Sequence, residues 1–196
     1  MIILLNGAPR SGKNILAEGM QQASSGQVEL ISFAQILKES VHRALEIEDG
    51  RSEHGYAPHN FLENCKDDPM ESLFHKTPRD VYIAYSEQFI KPLFGSSYFG
   101  HLLAEKIGGY TNDVDYIITD SGFIEEAMPL VNRYGADNFV KINVIRDGTD
   151  FSMDSRSLWS GEALGIREVV FHNNSDIDLD DEEAVTALGS KALSMI

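Results

Sequence analysis

The sequence predicts an α/β fold, a mainly parallel sheet covered by helices on both faces. Three observations carry that expectation. Short apolar runs alternate with stretches of helical spacing, Gly and Pro punctuate the joins, and 196 residues at 42% hydrophobic content suffice for one domain with an ample core. No internal repeat is present.

The elements follow in order. Ile2-Ile3-Leu4-Leu5 is a continuous apolar run of the kind buried on both faces of a parallel sheet. A helix-compatible stretch runs from about Lys13 to Ala23, and Val28 to Phe33 reads as a second strand. Phe33, Ile36, Leu37, Val41, Ala44 and Leu45 recur at helical spacing. From about residue 46 to 76 the pattern dissolves into a polar loop or insertion. Thr77 before Pro78 is a cap followed by proline at the first helical position, and the helix should reach about Leu93. A further helix is expected over Tyr98 to Ile107, stopped by Gly108-Gly109. Tyr116 to Thr119 is a buried strand ending at Asp120, Phe123 to Tyr134 a helix stopped by Gly135, and Phe139 to Ile145 a strand. The segment 146–165 is polar and irregular. A short strand over Glu168 to Phe171 and an acid-capped helix from Asp180 close the chain.

Charge and cysteine content limit the partners. Sixteen basic against thirty-one acidic residues give a net charge of −15, which repels nucleic-acid backbones, and the basic residues are scattered singly. No nucleic-acid role is expected. The apolar run at Met1 to Leu5 is too short for a signal peptide or a membrane span. One cysteine, Cys65, permits no internal disulfide and points to a reducing compartment, so a cytoplasmic location is expected.

The strongest motif is Gly7-Ala8-Pro9-Arg10-Ser11-Gly12-Lys13, which fits G-x-x-x-x-G-K between a predicted strand and a predicted helix. Glycines at both ends let backbone amides turn inward, and the helix N-terminus adds its positive dipole end. Gly7, Ala8, Arg10, Ser11, Gly12, Lys13 and Asn14 therefore form the candidate phosphate cradle, with Lys13 reaching the β- and γ-phosphates of ATP. This places the fold in the P-loop NTPase class, a three-layer αβα sandwich. The motif departs at one place. Asn14 stands where Ser or Thr would offer a hydroxyl to magnesium, which weakens the metal site. The second acidic element is Asp120, a carboxylate at the C-terminal end of a buried run, where ligands of parallel sheets sit. Asp120 and Asn14 are the candidate Mg²⁺ contacts, with ATP as co-substrate. A plainer alternative has Asp120 capping the helix that begins near Phe123.

The chain resembles the deoxynucleoside monophosphate kinases of tailed bacteriophages over nearly its full length. The resemblance rests on the phosphate loop, on Ser32-Phe33-Ala34 with Leu37-Lys38-Glu39, and on Thr77-Pro78-Arg79 and Tyr98-Phe99-Gly100. It continues through Asp120-Ser121-Gly122-Phe123-Ile124-Glu125-Glu126-Ala127, Val144-Ile145-Arg146 with Asp154-Ser155-Arg156, and His172-Asn173-Asn174. It implies a single P-loop kinase-like domain over 1–196 that moves the γ-phosphoryl of ATP to a nucleoside monophosphate with magnesium. It also implies Arg79 and Lys38 as acceptor contacts, and Arg146 and Arg156 as catalytic cations on a lid over about 146–165. A host-cytoplasm location would follow, and a homodimer is compatible. The segment the family writes D-x-R-F-x-N-E-A has Gly122 in place of its arginine, and Ile83, Ser86 and Glu87 replace the residues usual after T-P-R.

Two other functions stay open: a P-loop kinase for another small acceptor, and a catalytically impaired nucleotide-binding module retained for interaction. A zinc site from His54, His59 and Cys65 lacks a fourth ligand and a known spacing. Asp176, Asp178, Asp180 and Asp181 lack the Gly and closing Glu of a calcium loop. Trp159 is expected to pack rather than stack on a base.

Overall fold

The computed structural model describes residues 1–45, 65–108, 113–152, 154–174 and 180–196. His54, His59, Gly109, Asp176, Asp178 and much of the polar stretch after residue 45 lie outside the described residues. The chain divides into two compact units, residues 1–33 with 100–196, and residues 34–99.

The first unit holds a sheet of five strands among the described residues, all parallel. These are β1 (Ile2–Asn6), β2 (Gln27–Ile31), β3 (Val114–Ile118), β4 (Phe139–Ile145) and β5 (Arg167–His172), in the order β2-β3-β1-β4-β5. β1 is central and buried along its whole length, which is why its sequence is unbroken Ile and Leu before Asn6. Ile3 pairs with Ile117 on one side and Val140 on the other. One core joins Ile3, Leu5, Leu16, Met20, Ile142 and Phe171.

Helix α1 (Lys13–Ala23) leaves the end of β1 and packs on the C-terminal helix (Glu182–Leu193). The two can touch backbone to backbone because Gly19 and Gly189 face each other, and a Cβ on either would overlap the other helix. The C-terminal helix begins two residues later than the sequence suggests. It starts at Glu182 and not at Asp180, and Asp181 is the cap, its Oδ1 accepting the Ala184 amide at 3.0 Å. β2 is displaced as well: it ends at Ile31, because Phe33 already opens α2 (Phe33–Ala44). The helix Ile124–Tyr134 and the helix Tyr98–Ile107 stand where their glycine stops put them.

In the second unit, Thr77 caps α3 (Pro78–Ile83) in a complete capping box with Asp80. The helix continues as a π-turn over Ala84–Ile90 and then Lys91–Phe94. Pro92 explains the widening: it offers no N–H and crowds the carbonyl four residues back, and the Lys91 amide bonds Ser86, five residues back. His42 of α2 and the Tyr82 hydroxyl meet at 2.9 Å. No described helix is long and apolar enough to cross a membrane.

Candidate phosphate site

The loop after β1 turns through two left-handed residues, Arg10 (φ 64) and Gly12 (φ 86), on either side of the fully buried Ser11. Such alternation points successive amides into a concavity suited to anions. Gly7 has no room for a side chain: a Cβ would overlap the Val144 carbonyl of β4 and sit 2.7 Å from Ser11 Oγ. At Gly12 a Cβ would overlap the Nδ2 of Asn173. Asn173, just past β5, props the loop by donating from Nδ2 to the Ser11 carbonyl at 2.9 Å. Gly12 is the residue before α1, no side chain caps that helix, and no acid stands in its first turn. Its N-terminal amides are therefore open to an anion supplied from outside.

Lys13 folds into the loop, donating to the carbonyls of Gly7 (2.8 Å) and Ala8 (2.7 Å). Its pKa is lowered to about 8, first by burial and then by the neighbouring positive charge of Arg156, against the opposing pull of Asp120 and Asp154. Four charged side chains from distant parts of the sequence thus converge: Lys13 from the loop, Asp120 from the end of β3, and Asp154 and Arg156 from the segment before β5.

Asp120 does not cap the helix at Ile124. The cap position there is Phe123, with no side-chain bond, whereas Asp120 Oδ1 accepts the amide of Phe33 at the start of α2, at 2.9 Å. Arg156 is two-thirds buried and grips Asp154 through one edge of its guanidinium, Nε to Oδ1 at 2.8 Å and Nη2 to Oδ2 at 2.5 Å. That hydrogen bonding raises the arginine's pKa and lowers the aspartate's, against the burial of each.

The remaining sequence-predicted residues are distributed otherwise. Arg10 and Asn14 are exposed, Asn14 in the first turn of α1. Arg146 is half-buried just past β4, its carbonyl closing a turn with Thr149. Lys38 and Arg79 belong to the second unit. Arg79 is exposed and bonded by Nε to Asp67 Oδ1 at 2.5 Å. Among the described residues no group of three His, Cys, Asp or Glu side chains could hold a metal. The donors present suit magnesium of the sparse kind, which takes one or two carboxylates and completes its shell with water and phosphate oxygens. Asp120, with Asp154 in the same electrostatic neighbourhood, is the carboxylate that could hold such an ion.

Several buried polar residues escape sequence reasoning. Lys141 is wholly buried on β4. It meets Asn143, Glu168 (3.1 Å) and the face of Trp159 (4.8 Å). Burial lowers the Lys141 pKa, partly offset by Glu168. Burial pushes the Glu168 carboxyl up, and the Gly161 amide, Lys141 and Asn143 more than reverse it. The signal was Lys and Asn two apart in an otherwise apolar strand: one face of β4 had to find partners. Asn6, Ser121 and Asn173, at the ends of β1, β3 and β5, are all nearly fully buried. Asn6 Oδ1, Ser121 Oγ and Asn173 Oδ1 have no hydrogen-bond partner among the described residues.

No protein-family model matches the chain, and no curated protein matches it in sequence. Among solved structures it is similar to an unliganded sugar kinase from Janibacter sp. HTCC2649, at 10% identity and a TM-score of 0.46, over 99% of this chain and 92% of that one. It is also similar to a gluconokinase from Sinorhizobium meliloti 1021, at 10% identity and a TM-score of 0.42, over 98% and 93% respectively.

Proposed function

We propose that the chain is a P-loop phosphotransferase that moves the γ-phosphoryl of ATP to a nucleoside monophosphate. The observation that supports this best is the convergence of two partly desolvated cations, Lys13 and Arg156, on the amide-lined loop Gly7 to Lys13. Two like charges held close in a half-buried place repel, and a bound polyanion relieves both. In the reaction an oxygen of the acceptor phosphate forms a bond to the γ-phosphorus. The bridging P–O bond to the β-phosphate breaks, and ADP leaves with the electron pair. An acceptor phosphate that is already a dianion has no proton to surrender, so the site needs positioning and charge stabilisation rather than a general base.

Lys13 would exchange its carbonyl bonds for β- and γ-oxygens, and Arg156 would follow the charge developing on the transferring group. Asp120, with Asn14 beside the loop, would hold magnesium, which supplies neutralisation of the phosphate oxygens when bound. Arg79 and Lys38 are the candidate contacts for the acceptor, on a domain that we take to span the whole chain, with ATP and the monophosphate as partners.

Asn14 in place of a hydroxyl favours a second reading, a nucleotide-binding module with impaired transfer. One coupled assay separates the readings. ATP and magnesium are offered with a panel of ribo- and deoxynucleoside monophosphates, and with small sugars and sugar acids, to wild type and Lys13→Ala. Lys13-dependent transfer to a monophosphate is the expected result. Transfer confined to a sugar moves the acceptor class, and ATP binding with no transfer to any acceptor establishes the module.

A further inference from the structure

Residues 154–161 do not lie as a loose cover. Ser157 is fastened twice: its amide donates to the Gly122 carbonyl at 3.3 Å, and its carbonyl accepts Asn6 Nδ2 at 3.1 Å. Trp159 donates from Nε1 to the Ser121 carbonyl at 3.0 Å while its ring covers Lys141. The Gly161 amide donates to Glu168 Oε2 at 2.6 Å, and Glu168 is itself held by Lys141 and Asn143. Between the Asp154 pair and these fasteners the Arg156 side chain crosses Gly122 so closely that a Cβ there would lie 2.5 Å from its Cγ and Cδ and 2.7 Å from its Cβ. Such distances admit no side chain at 122 without moving the arginine.

We propose that 154–161 is a positioning strap, with Gly122 and Trp159 the positioning residues that seat Arg156 in the phosphate site. Gly122 is the seat: with no side chain there, the arginine's aliphatic stem lies against its backbone, in the electrostatic neighbourhood of Lys13. Trp159 is the fastener, its indole N–H fixed to the residue before that seat and its ring on a buried cation that cannot move away. Asp154 takes two of the five guanidinium N–H groups and fixes their plane, leaving three for an incoming oxyanion. The strap therefore presents an oriented cation before any ligand arrives, so little ordering remains to be done on binding.

What Arg156 does with a phosphate rests on the phosphotransferase reading; that it is seated through Gly122 and Trp159 does not. The probe for the first is inorganic tripolyphosphate, titrated calorimetrically into wild type, Gly122→Ala, Arg156→Gln, the double variant, Trp159→Ala and Trp159→Phe. Gly122→Ala and Trp159→Ala should each lose affinity about as much as Arg156→Gln, on the order of tenfold, the scale of one charge-assisted contact. Gly122→Ala should cost nothing more once Arg156 is Gln, and Trp159→Phe, which keeps a ring over Lys141 but loses the N–H to Ser121, should lose less than Trp159→Ala. Wild-type affinity in Gly122→Ala and Trp159→Ala, or losses that add to that of Arg156→Gln, would overturn the proposal. The second measurement is indifferent to function: the urea midpoint of Gly122→Ala should fall in the Arg156 protein but not when Arg156 is also Gly. If wild type binds no tripolyphosphate, the phosphotransferase reading fails. The urea comparison then decides the seating alone, an equal fall in both backgrounds overturning it.

Discussion

Arg156 and Arg79 make nearly the same contact in very different surroundings. Each holds an aspartate with two nitrogens, Arg156 with Asp154 and Arg79 with Asp67. The first pair is 32% and 14% exposed and shares its neighbourhood with Lys13; the second is 52% and 64% exposed. An ion pair this exposed is screened by water, so Asp67 ties Arg79 only weakly. A half-buried pair is a fixture, and Arg156 is held on Asp154. The difference teaches that an arginine's existing partner says little about its availability. Solvent around the pair says more.

The largest expected effect lies on the buried side. Lys13→Ala should abolish transfer, at least about a hundredfold, because a fixed cation beside developing charge is removed. The protein should stay folded, since a lysine whose charge is already disfavoured by burial is not a stabilising group. Unchanged ATP affinity by calorimetry in the folded variant would remove the loop from the site. Next come the two arginines together. Arg156→Ala should destabilise by about 1–3 kcal/mol in urea, since Asp154 is left half-buried without its partner. Arg79→Ala should stay within about 0.5 kcal/mol of wild type and raise the KM for the monophosphate more than that for ATP. Equal stability losses would break the comparison, and a KM effect on ATP alone would move Arg79 to the donor side.

The same contrast marks what the sequence made legible. The strands and helices of the first unit were readable because burial on both faces forces unbroken apolar runs, as in Ile2 to Leu5, and because caps and glycines punctuate them. The loop Gly7 to Lys13 was readable as a motif because its tight turns need glycines at fixed places, Gly7 against the Val144 carbonyl and Gly12 at a positive φ. The strap was not readable. Its fasteners are Asn6, Ser121, Gly122, Lys141 and Glu168, separated by up to 162 positions, and no local pattern announces that a glycine at 122 makes room for an arginine at 156. Asp120 was placed correctly at the end of β3, but its partner, the amide of Phe33, is a tertiary fact that no helix-cap rule along the chain supplies.

The pH response is a smaller effect with a distinctive sign. Lys13 titrates at about 8 in the folded protein and near the ordinary lysine value when unfolded. Between those two values the unfolded chain binds the extra proton, so the stability that charging the buried Lys13 costs is recovered as pH rises from about 8 to about 10.5. Anion binding favours the charged lysine, so polyphosphate affinity should fall by up to about tenfold per unit above about pH 8, with a proton taken up on binding. Calorimetry in buffers of different ionisation enthalpy measures that uptake. An affinity that stays level to pH 9.5 would mean that Lys13 does not contact the phosphates.

The smallest effect concerns the residue that breaks the loop's pattern. Asn14 is exposed in the first turn of α1, neutral, and bulkier than the hydroxyl residue the motif expects there. Its carboxamide oxygen can contact magnesium but adds no charge, so Asp120 should carry most of the metal's electrostatic hold. Asn14→Thr should therefore leave the fold unchanged and lower the magnesium concentration for half-maximal rate by only a few-fold, about 1 kcal/mol or less. Asp120→Asn keeps an oxygen for the Phe33 amide but loses the charge, and should reduce turnover about a hundredfold. The pair of variants ranks a replaceable neutral ligand against an irreplaceable carboxylate. Normal turnover of Asp120→Asn at low magnesium would place the metal elsewhere. Transfer that appears only in Asn14→Thr would identify the wild-type chain as a binding module that lacks a single hydroxyl.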